Sequence, residues 1–476
     1  MVYSILYALF TLLLIVVLFL TGVRPVKTLG WLLVLLLLPF IGMVLFLMFG
    51  LNRRRYKFSR LQRSPRVRKY LERVAEFYQT FDRQLNQFPP ELKRFSKLSR
   101  LLVKNANLLP YNGNKVQLLR NGPDTFEAML ADMEQAQHFI HLQFYIFEEG
   151  ELAGRMATLF ERKIREGVEV RLLFDGIGSR QLSRRFLRRL REMGVRLFGF
   201  LPLKVGWIVT TVNYRNHRKI TVIDGKIGYT GGINVSDKYL KGDPNLGIWH
   251  DMHLRLEGPV VNSLQSIFSI DWQFASRSEA LLQAEYNVQP QPAGPSTVQL
   301  VAGGPDSDYP AIRQQYFNMI NEANAYVYII NPYVIPGEAI LEALKTAALS
   351  GVDVRLLVPE KSDNVVVKWS IRSYFQELLE SEVRIFLYPD GFLHSKVMIA
   401  DNVLASVGTA NLDFRSFEQN FEVNAVLYDR QVARQLQAYF LEYQAESREL
   451  LLDEHLQRPW DHRLLEAVAK LFSPIL

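Results

Sequence analysis

The chain has 476 residues, 49% of them hydrophobic, with a mean hydropathy near zero; it is too apolar for a disordered chain and long enough for about two or three globular units plus membrane segments. It has no cysteine, so disulfide scaffolds, thiolate zinc sites, iron–sulfur clusters and cysteine nucleophiles are excluded. The net charge of +8 comes from 56 Lys and Arg against 48 Asp and Glu, but ten basic residues and one acidic residue lie in 52–73 and two basic residues in 1–51, leaving 44 against 47 elsewhere, a body of about −3. That distribution argues against a nucleic-acid partner and points to an anionic membrane surface next to the apolar N-terminus.

Residues 3–22 and 28–51 carry no charge apart from the intervening turn with Arg24 and Lys27. Each stretch is long enough to span a hydrocarbon core about 30 Å thick, and the turn is too short for anything but a hairpin. Residues 1–51 are therefore expected to form two transmembrane helices. The positive charges that follow place the body on the cytoplasmic side of the inner membrane, in a multi-pass arrangement. A cleaved signal peptide fits poorly, because the first residues supply no basic n-region. Residues 52–105 read as a basic juxtamembrane and linker segment. Its cluster of Arg53, Arg54, Arg55, Lys57, Arg60, Arg63, Arg66, Arg68, Lys69 and Arg73 serves as a topology signal, and each residue can add on the order of 1 kcal/mol of attraction to acidic lipid.

The remainder repeats itself. Val116-Gln-Leu118 with Gly122-Pro-Asp124 recurs as Val298-Gln-Leu300 with Gly304-Pro-Asp306; Gly167-Val-Glu-Val-Arg-Leu-Leu173 recurs as Gly351-Val-Asp-Val-Arg-Leu-Leu357. Strand patterns alternate with amphipathic helical ones, which predicts two duplicated α/β domains with mixed sheets packed about a pseudo-two-fold axis. The expected units are a first domain over 106–280, a linker over 281–296 containing Gln289-Pro-Gln-Pro-Ala-Gly-Pro295, and a second domain over 297–450.

The polar residues recur in register too. His217, Lys219, Asp224 and Asn234, with Gly231 and Gly232, match His394, Lys396, Asp401 and Asn411, with Gly408 and Thr409. One His-x-Lys is usually a strand edge; the same spacing of four polar residues in both halves is a site. Residues two apart on a strand share a face, so each His and Lys project together. A neutral imidazole can attack phosphorus or carry a proton, and an ammonium suits non-bridging oxygens. The asparagines could donate amide N–H to the same oxygens, and the glycines would let the backbone approach them. Two half-sites face to face supply one histidine to attack and one to protonate the leaving alcohol. Asp224 and Asp401 are counted with these histidines and lysines as catalytic, although their opposite strand parity also suits a structural tie to the following turn.

His138 with His141 and His250 with His253 are poor metal pairs, since residues three apart on a strand face opposite ways. No metal or cofactor is expected, and no nucleotide-binding or serine-hydrolase motif is present. The arginines at 184, 185, 188, 189 and 191 read as a solvated helix face. The apolar run 198–212 suits core packing, an acyl-chain passage or a dip into the bilayer. Residues 451–476 form an expected amphipathic helix, with Trp460, Leu464, Leu465, Val468, Leu471 and Phe472 opposite Arg463, Glu466 and Lys470. It could pack on its own domain or touch a membrane.

The paired His-x-Lys-x4-Asp motifs with their Gly-Gly or Gly-Thr and Asn resemble the phospholipase D superfamily. The strings Asn213-Tyr-Arg-Asn-His-Arg-Lys219, Gly391-Phe-Leu-His-Ser-Lys396, Gly408-Thr-Ala-Asn-Leu-Asp-Phe-Arg-Ser416 and Asn420-Phe-Glu-Val-Asn424, with the N-terminal hairpin, are similar to the two-motif bacterial cardiolipin synthases over nearly the whole chain. The resemblance implies metal-free phosphatidyl transfer from one phosphatidylglycerol to another through a phosphohistidine. One histidine attacks the phosphodiester while the other protonates the departing glycerol and then deprotonates the acceptor hydroxyl. It further implies an acid behind each histidine, at Asp251 and Glu422. Gly408-Thr409 departs from the Gly-Ser of other branches but keeps the hydroxyl, and Asp413, Arg415 and Ser416 have no counterparts in the first half. A membrane-bound phospholipase D or phosphodiesterase hydrolysing phospholipid is the alternative on the same scaffold.

Overall fold

The computed structural model describes residues 2–20, 25–38, 40–47, 65–202, 213–278, 281, 286, 288 and 290–473. The first half contains β1 (Pro110–Arg120), β2 (Phe139–Phe144), β3 (Glu169–Asp175), β4 (Arg196–Phe200), β5 (Ile220–Ile223), β6 (Ile227–Gly231), β7 (Trp249–His250) and β8 (Met252–Glu257). The second half repeats this with β9 (Ser296–Gly303), β10 (Tyr326–Ile330), β11 (Asp353–Pro359), β12 (Arg384–Tyr388), β13 (Phe392–Leu393), β14 (Val397–Ala400), β15 (Leu404–Gly408) and β16 (Glu422–Tyr428), and adds β17 (Arg448–Leu450).

Fifteen of these strands form one sheet in the order β17-β12-β11-β10-β14-β15-β16-β9-β1-β8-β6-β5-β2-β3-β4. Leaving β17 aside, the order reads the same from either end once each strand is replaced by its counterpart, and the halves join through antiparallel β1 and β9. Pairing is parallel along β2-β3-β4 and β10-β11-β12 and antiparallel elsewhere, so the duplicated α/β domains have mixed sheets. Strands β2, β5, β14, β15 and β16 are buried along their whole length. Such strands are covered on both faces and read as apolar runs instead of alternating ones. The core is continuous across the join: Leu256 and Leu264 of one half share a cluster with Leu300, Phe421 and Val423 of the other.

Two expected connecting segments are built into this body. Leu92, Phe95, Leu98 and Leu102, on the helices Pro90–Arg94 and Ser96–Ala106 or between them, enter the core of the second half beside Val301 and Ile312. Their spacing of three to four residues is an apolar helical stripe that the surrounding positive charge obscures in sequence. Arg94 pairs with Asp401, and Ser99 Oγ donates to Gln299 Oε1 at 2.9 Å. Within the linker, Leu281 is buried in the shared core, and a side chain at Gly113 would collide with Pro292.

At the N-terminus the helices Val2–Leu20, Pro25–Leu37 and Ile41–Leu45 meet through Leu14, Leu18, Leu35 and Met43. Among the described residues no helix is long and apolar enough to cross a membrane, so the transmembrane hairpin is not part of the observed architecture. Most of the basic cluster, Arg53 to Arg63, and positions 203–212 of the apolar run lie outside the described residues.

Candidate active site

Both His-x-Lys segments lie just ahead of short buried strands, β5 and β14, and each is pinned by a chain segment from the other half. His217 N donates to Phe421 O at 2.9 Å and Phe421 N to Arg215 O at 2.8 Å; in the mirror position His394 N donates to His250 O at 2.7 Å and Phe392 N to Ile248 O at 2.8 Å. The β7–β13 pairing is part of this second clasp. Each clasp carries an acid at its end. Glu422 follows Phe421 and Asp251 follows His250, so each imidazole meets a carboxylate from the opposite half: His217 Nδ1 lies 3.0 Å from Glu422 Oε2, and His394 Nδ1 lies 2.7 Å from Asp251 Oδ2. An ionised carboxylate has no proton to give, so Nδ1 is the donor and Nε2 is the nitrogen left for chemistry.

The lysines stand beside them. Lys219 Nζ donates to His217 O at 2.7 Å. Lys396 Nζ donates to His394 O and lies 2.9 Å from His394 Nδ1. All four groups are buried. Burial pushes the Lys219 ammonium down to about 7, and Lys396 adds to the effect while Glu422 opposes it; burial likewise pushes Lys396 down to about 8, opposed by Asp251. Both histidines are also lowered, first by burial and then by the neighbouring ammonium groups, with Glu422 resisting at His217. The mutual effects of His217, Lys219, His394 and Lys396 put the two half-sites in one electrostatic unit. Its two ammoniums and two carboxylates cancel, so one protonated imidazole balances the charge of one bound phosphodiester.

The acids are not equivalent. Glu422 accepts from Thr409 Oγ1 at 2.5 Å, Ser416 Oγ at 2.9 Å and Asn420 Nδ2 at 3.3 Å. Burial disfavours its charge, but His217, Lys219 and Thr409 outweigh burial and hold it below the ordinary carboxylate range. Asp251 accepts from Met252 N at 2.8 Å, and burial raises it to about 6 against the pull of Lys396.

The glycines and asparagines also have structural surroundings of their own. A Cβ on Gly232 would lie 1.9 Å from Asp251 Oδ1, and one on Gly408 would lie 2.1 Å from Asn424 Oδ1; Gly231 similarly faces the β8 backbone at His253. These positions make room for the acid-bearing strands. Asn234 Oδ1 accepts from Ile146 N at 3.0 Å, while Asn411 Oδ1 is buried with no hydrogen-bond partner. Asp224 and Asp401 do not join the cluster. The carboxylate of Asp224 accepts from the backbone N–H of Gln137, His138 and Phe139, each at 2.8 Å, and that of Asp401 accepts from Asn324, Ala325 and Tyr326 at 2.8–3.1 Å. Each ties the start of a neighbouring strand, β2 or β10, to a turn where the aspartate itself has a positive φ. The strand parity in the sequence carried that outcome.

Residues 129–272 and 316–443 match the family described as cardiolipin synthase, PLD-like domain, and residues 8–50 match a phospholipase D-nuclease N-terminal family. The chain is 40% identical over 462 residues to a cardiolipin synthase of Geobacillus sp. (strain WCH70), covering 95% of this chain and 89% of that one. It is 39% identical over 452 residues to the major cardiolipin synthase of Bacillus subtilis (strain 168), covering 94% and 93%. The chain belongs to the cardiolipin synthase family. A phosphatidylserine synthase structure from Haemophilus influenzae Rd KW20 shares the fold, with a TM-score of 0.62 at 14% identity over 80% of this chain and all of that one.

Several residues around this cardiolipin synthase site are silent in the sequence. Tyr239 Oη lies 3.3 Å from His394 Nδ1, and the Tyr145 ring stands edge-on to His217 at 4.8 Å. Arg218, between the motif His and Lys, places Nη1 2.8 Å from both carboxylate oxygens of Asp271, while its Nε donates to Glu422 O and its Nη2 to Gly303 O. It braces the first motif against the second half. Ser395, its counterpart, meets Tyr439 Oη at 3.2 Å. Among the described residues no group of three His, Asp or Glu side chains could hold a metal ion. His141 is instead stacked on Phe139 and Phe268 with Nδ1 on Gln265.

Proposed function

We propose that this chain condenses two phosphatidylglycerol molecules to cardiolipin and glycerol through a phosphohistidine intermediate, using His217, Lys219, His394 and Lys396, with Glu422 and Asp251 orienting the histidines. The observation that carries this reading is the pair of imidazoles, each with Nδ1 held by a carboxylate of the other half and Nε2 left available. A lowered imidazole pKa keeps one histidine neutral and nucleophilic. Nε2 of that histidine attacks phosphorus, the bond from phosphorus to the glycerol oxygen breaks, and the second histidine, whose protonated form the bound phosphodiester anion favours, gives its proton to the alkoxide. The second histidine then takes the proton of an acceptor phosphatidylglycerol hydroxyl, whose oxygen displaces the histidine from phosphorus. The ammoniums of Lys219 and Lys396 offset the charge on the non-bridging oxygens, where their value is high because water is excluded.

The finer membrane assignment belongs to the same proposal. The uncharged stretches 3–22 and 28–51 extend past the described helices, and Leu9, Phe10, Leu12, Leu13, Leu33 and Leu36 point outward from them. A hairpin in the inner membrane with the body on the cytoplasmic side accounts for that exposed apolar surface and for the basic run behind it.

The test is a product assay with purified full-length protein in detergent, labelled phosphatidylglycerol and excess chelator. Cardiolipin with an equal amount of glycerol supports the reading. Phosphatidic acid alone would replace it with a hydrolase.

A further inference from the structure

The C-terminal helix Trp460–Phe472 is packed inside out. At 100° per residue Trp460, Leu471, Leu464, Val468, Phe472 and Leu465 occupy one arc of about 140°. That arc faces solvent: Trp460 is 75% exposed and Leu471 77%. The opposite side is the buried one, where Glu466, 3% exposed, receives Arg458 Nε at 2.8 Å and sits 3.6 Å from Arg372 Nε. Ser473 Oγ and Ser370 Oγ close the same seam at 2.9 Å. Turning the apolar side inward would strand a buried carboxylate and expose its two guanidinium partners, so the ion pairs fix the outward face.

The patch continues to the mouth of the site. The helix lies on Val365–Arg372, whose Val365 is 71% exposed and whose Val366 is also exposed. Two residues before Val365, Asp363 Oδ2 accepts from Tyr333 Oη at 2.5 Å, and the Tyr333 ring stands 6.5 Å from the His394 ring. Lys361, Lys368 and Arg463 are exposed nearby, Asp461 lies within the apolar arc, and Lys470 turns toward Glu377 and the Tyr374 ring. A broad apolar arc exposed on the outer face of a helix is the pattern of a helix lying at a lipid interface.

We propose that Trp460, Leu464, Val468 and Leu471, together with Val365 and Val366, form a platform that docks on the bilayer surface and sets the His394 side of the active site against the leaflet that supplies its lipid. The inference rests on the reading of a bilayer phospholipid as substrate: a buried site must receive its diacyl substrate from the membrane, and this apolar surface adjoins the rim that Tyr333 and Asp363 build beside His394.

The absence of cysteine makes the test clean. Leu464→Cys and, as a control on the exposed β5–β6 turn, Lys226→Cys would be labelled with an environment-sensitive fluorophore. The full-length protein would then be reconstituted into vesicles of phosphatidylglycerol and phosphatidylethanolamine, with or without acyl-chain-brominated lipid. The expected result is at least twofold stronger quenching at 464 than at 226. Equal quenching at both positions would overturn the proposal, as would a disulfide-linked dimer of the unlabelled Leu464→Cys protein together with no quenching of its labelled form, which would assign the face to a second copy. The double substitution Leu464→Asp with Leu471→Asp should lower turnover on vesicles about tenfold and leave turnover in detergent micelles within twofold; unchanged turnover on vesicles, or equal loss in both, contradicts it. Quenching needs no turnover, so a failure of the transferase reading and a failure of the docking reading are told apart.

Discussion

His217 is oriented by Glu422, 205 residues further along the chain and in the other half of the molecule, at 3.0 Å, and His394 is oriented in return by Asp251. Neither half contains a complete imidazole–carboxylate pair. On the proposed mechanism the duplicated domain would work only with both halves joined, and the antiparallel join of β1 to β9 would be as much a condition for catalysis as either motif.

The exchange of acids predicts that Glu422→Gln and Asp251→Asn each lower kcat by about 10²–10⁴ with little change in the far-ultraviolet circular dichroism, because an amide no longer fixes the Nδ1–H tautomer or balances an imidazolium. His217→Ala and His394→Ala should each abolish product. Full product formation from either alanine variant would contradict a shared site.

Gly232→Ala should cost as much as losing Asp251 itself. Its new methyl group would stand 1.9 Å from Asp251 Oδ1, so the acid behind His394 must move while both histidines stay in place. Thr409→Ser, at the equivalent position, keeps the hydroxyl that donates to Glu422 and should stay within about fivefold of the parent. Steady-state turnover in micelles compares the two, and equal effects would contradict the argument.

Asp224→Asn and Asp401→Asn should damage stability instead of chemistry. Each carboxylate accepts three backbone N–H groups, and an amide can satisfy them only in part, at a cost of about 1–3 kcal/mol. Chemical denaturation should show the loss. The kcat of the folded fraction should remain within a few-fold, and a thousandfold drop would return these residues to the catalytic set.

The buried ammoniums set the alkaline limb of activity. In the free enzyme Lys219 loses its proton near 7 and Lys396 near 8, so kcat/KM should fall as pH rises through that window. Bound phosphodiester, an anion beside each ammonium, favours the charged form and raises both pKa values. The alkaline limb of kcat should therefore lie at higher pH than that of kcat/KM. On the acid side, protonation of Asp251 near 6 removes the carboxylate behind His394, and kcat/KM should fall again below it. Coincident alkaline limbs in the two profiles would contradict this account. The same shift has a stability sign. The folded-state pKa of Lys219 lies below its unfolded value of 10.5, so the unfolded chain binds more protons between the two values, and stability should rise with pH across that interval.

The sequence by itself determined the duplication, the α/β alternation and the His and Lys of each half-site, because these follow from local periodicity and from spacings that recur in register. It grouped Asp224 and Asp401 with the catalytic residues, although strand parity, a local property, left a structural tie open. Tertiary structure alone decided which acid serves which histidine: a chain that repeats can pair within a half or across halves, and only the clasp of Phe421 on Arg215 and His217, mirrored by Ile248 and His250 on Phe392 and His394, selects the crossed arrangement. It also showed that a side chain at Gly232 or Gly408 would collide with Asp251 or Asn424. For the helix Trp460–Phe472 the sequence correctly shows two faces, yet a hydrophobic arc says nothing about which face is buried. The ion pairs of Glu466 with Arg458 and Arg372 made that choice, because a carboxylate buried with its partners cannot be exchanged for leucine without leaving two guanidinium groups unpaired.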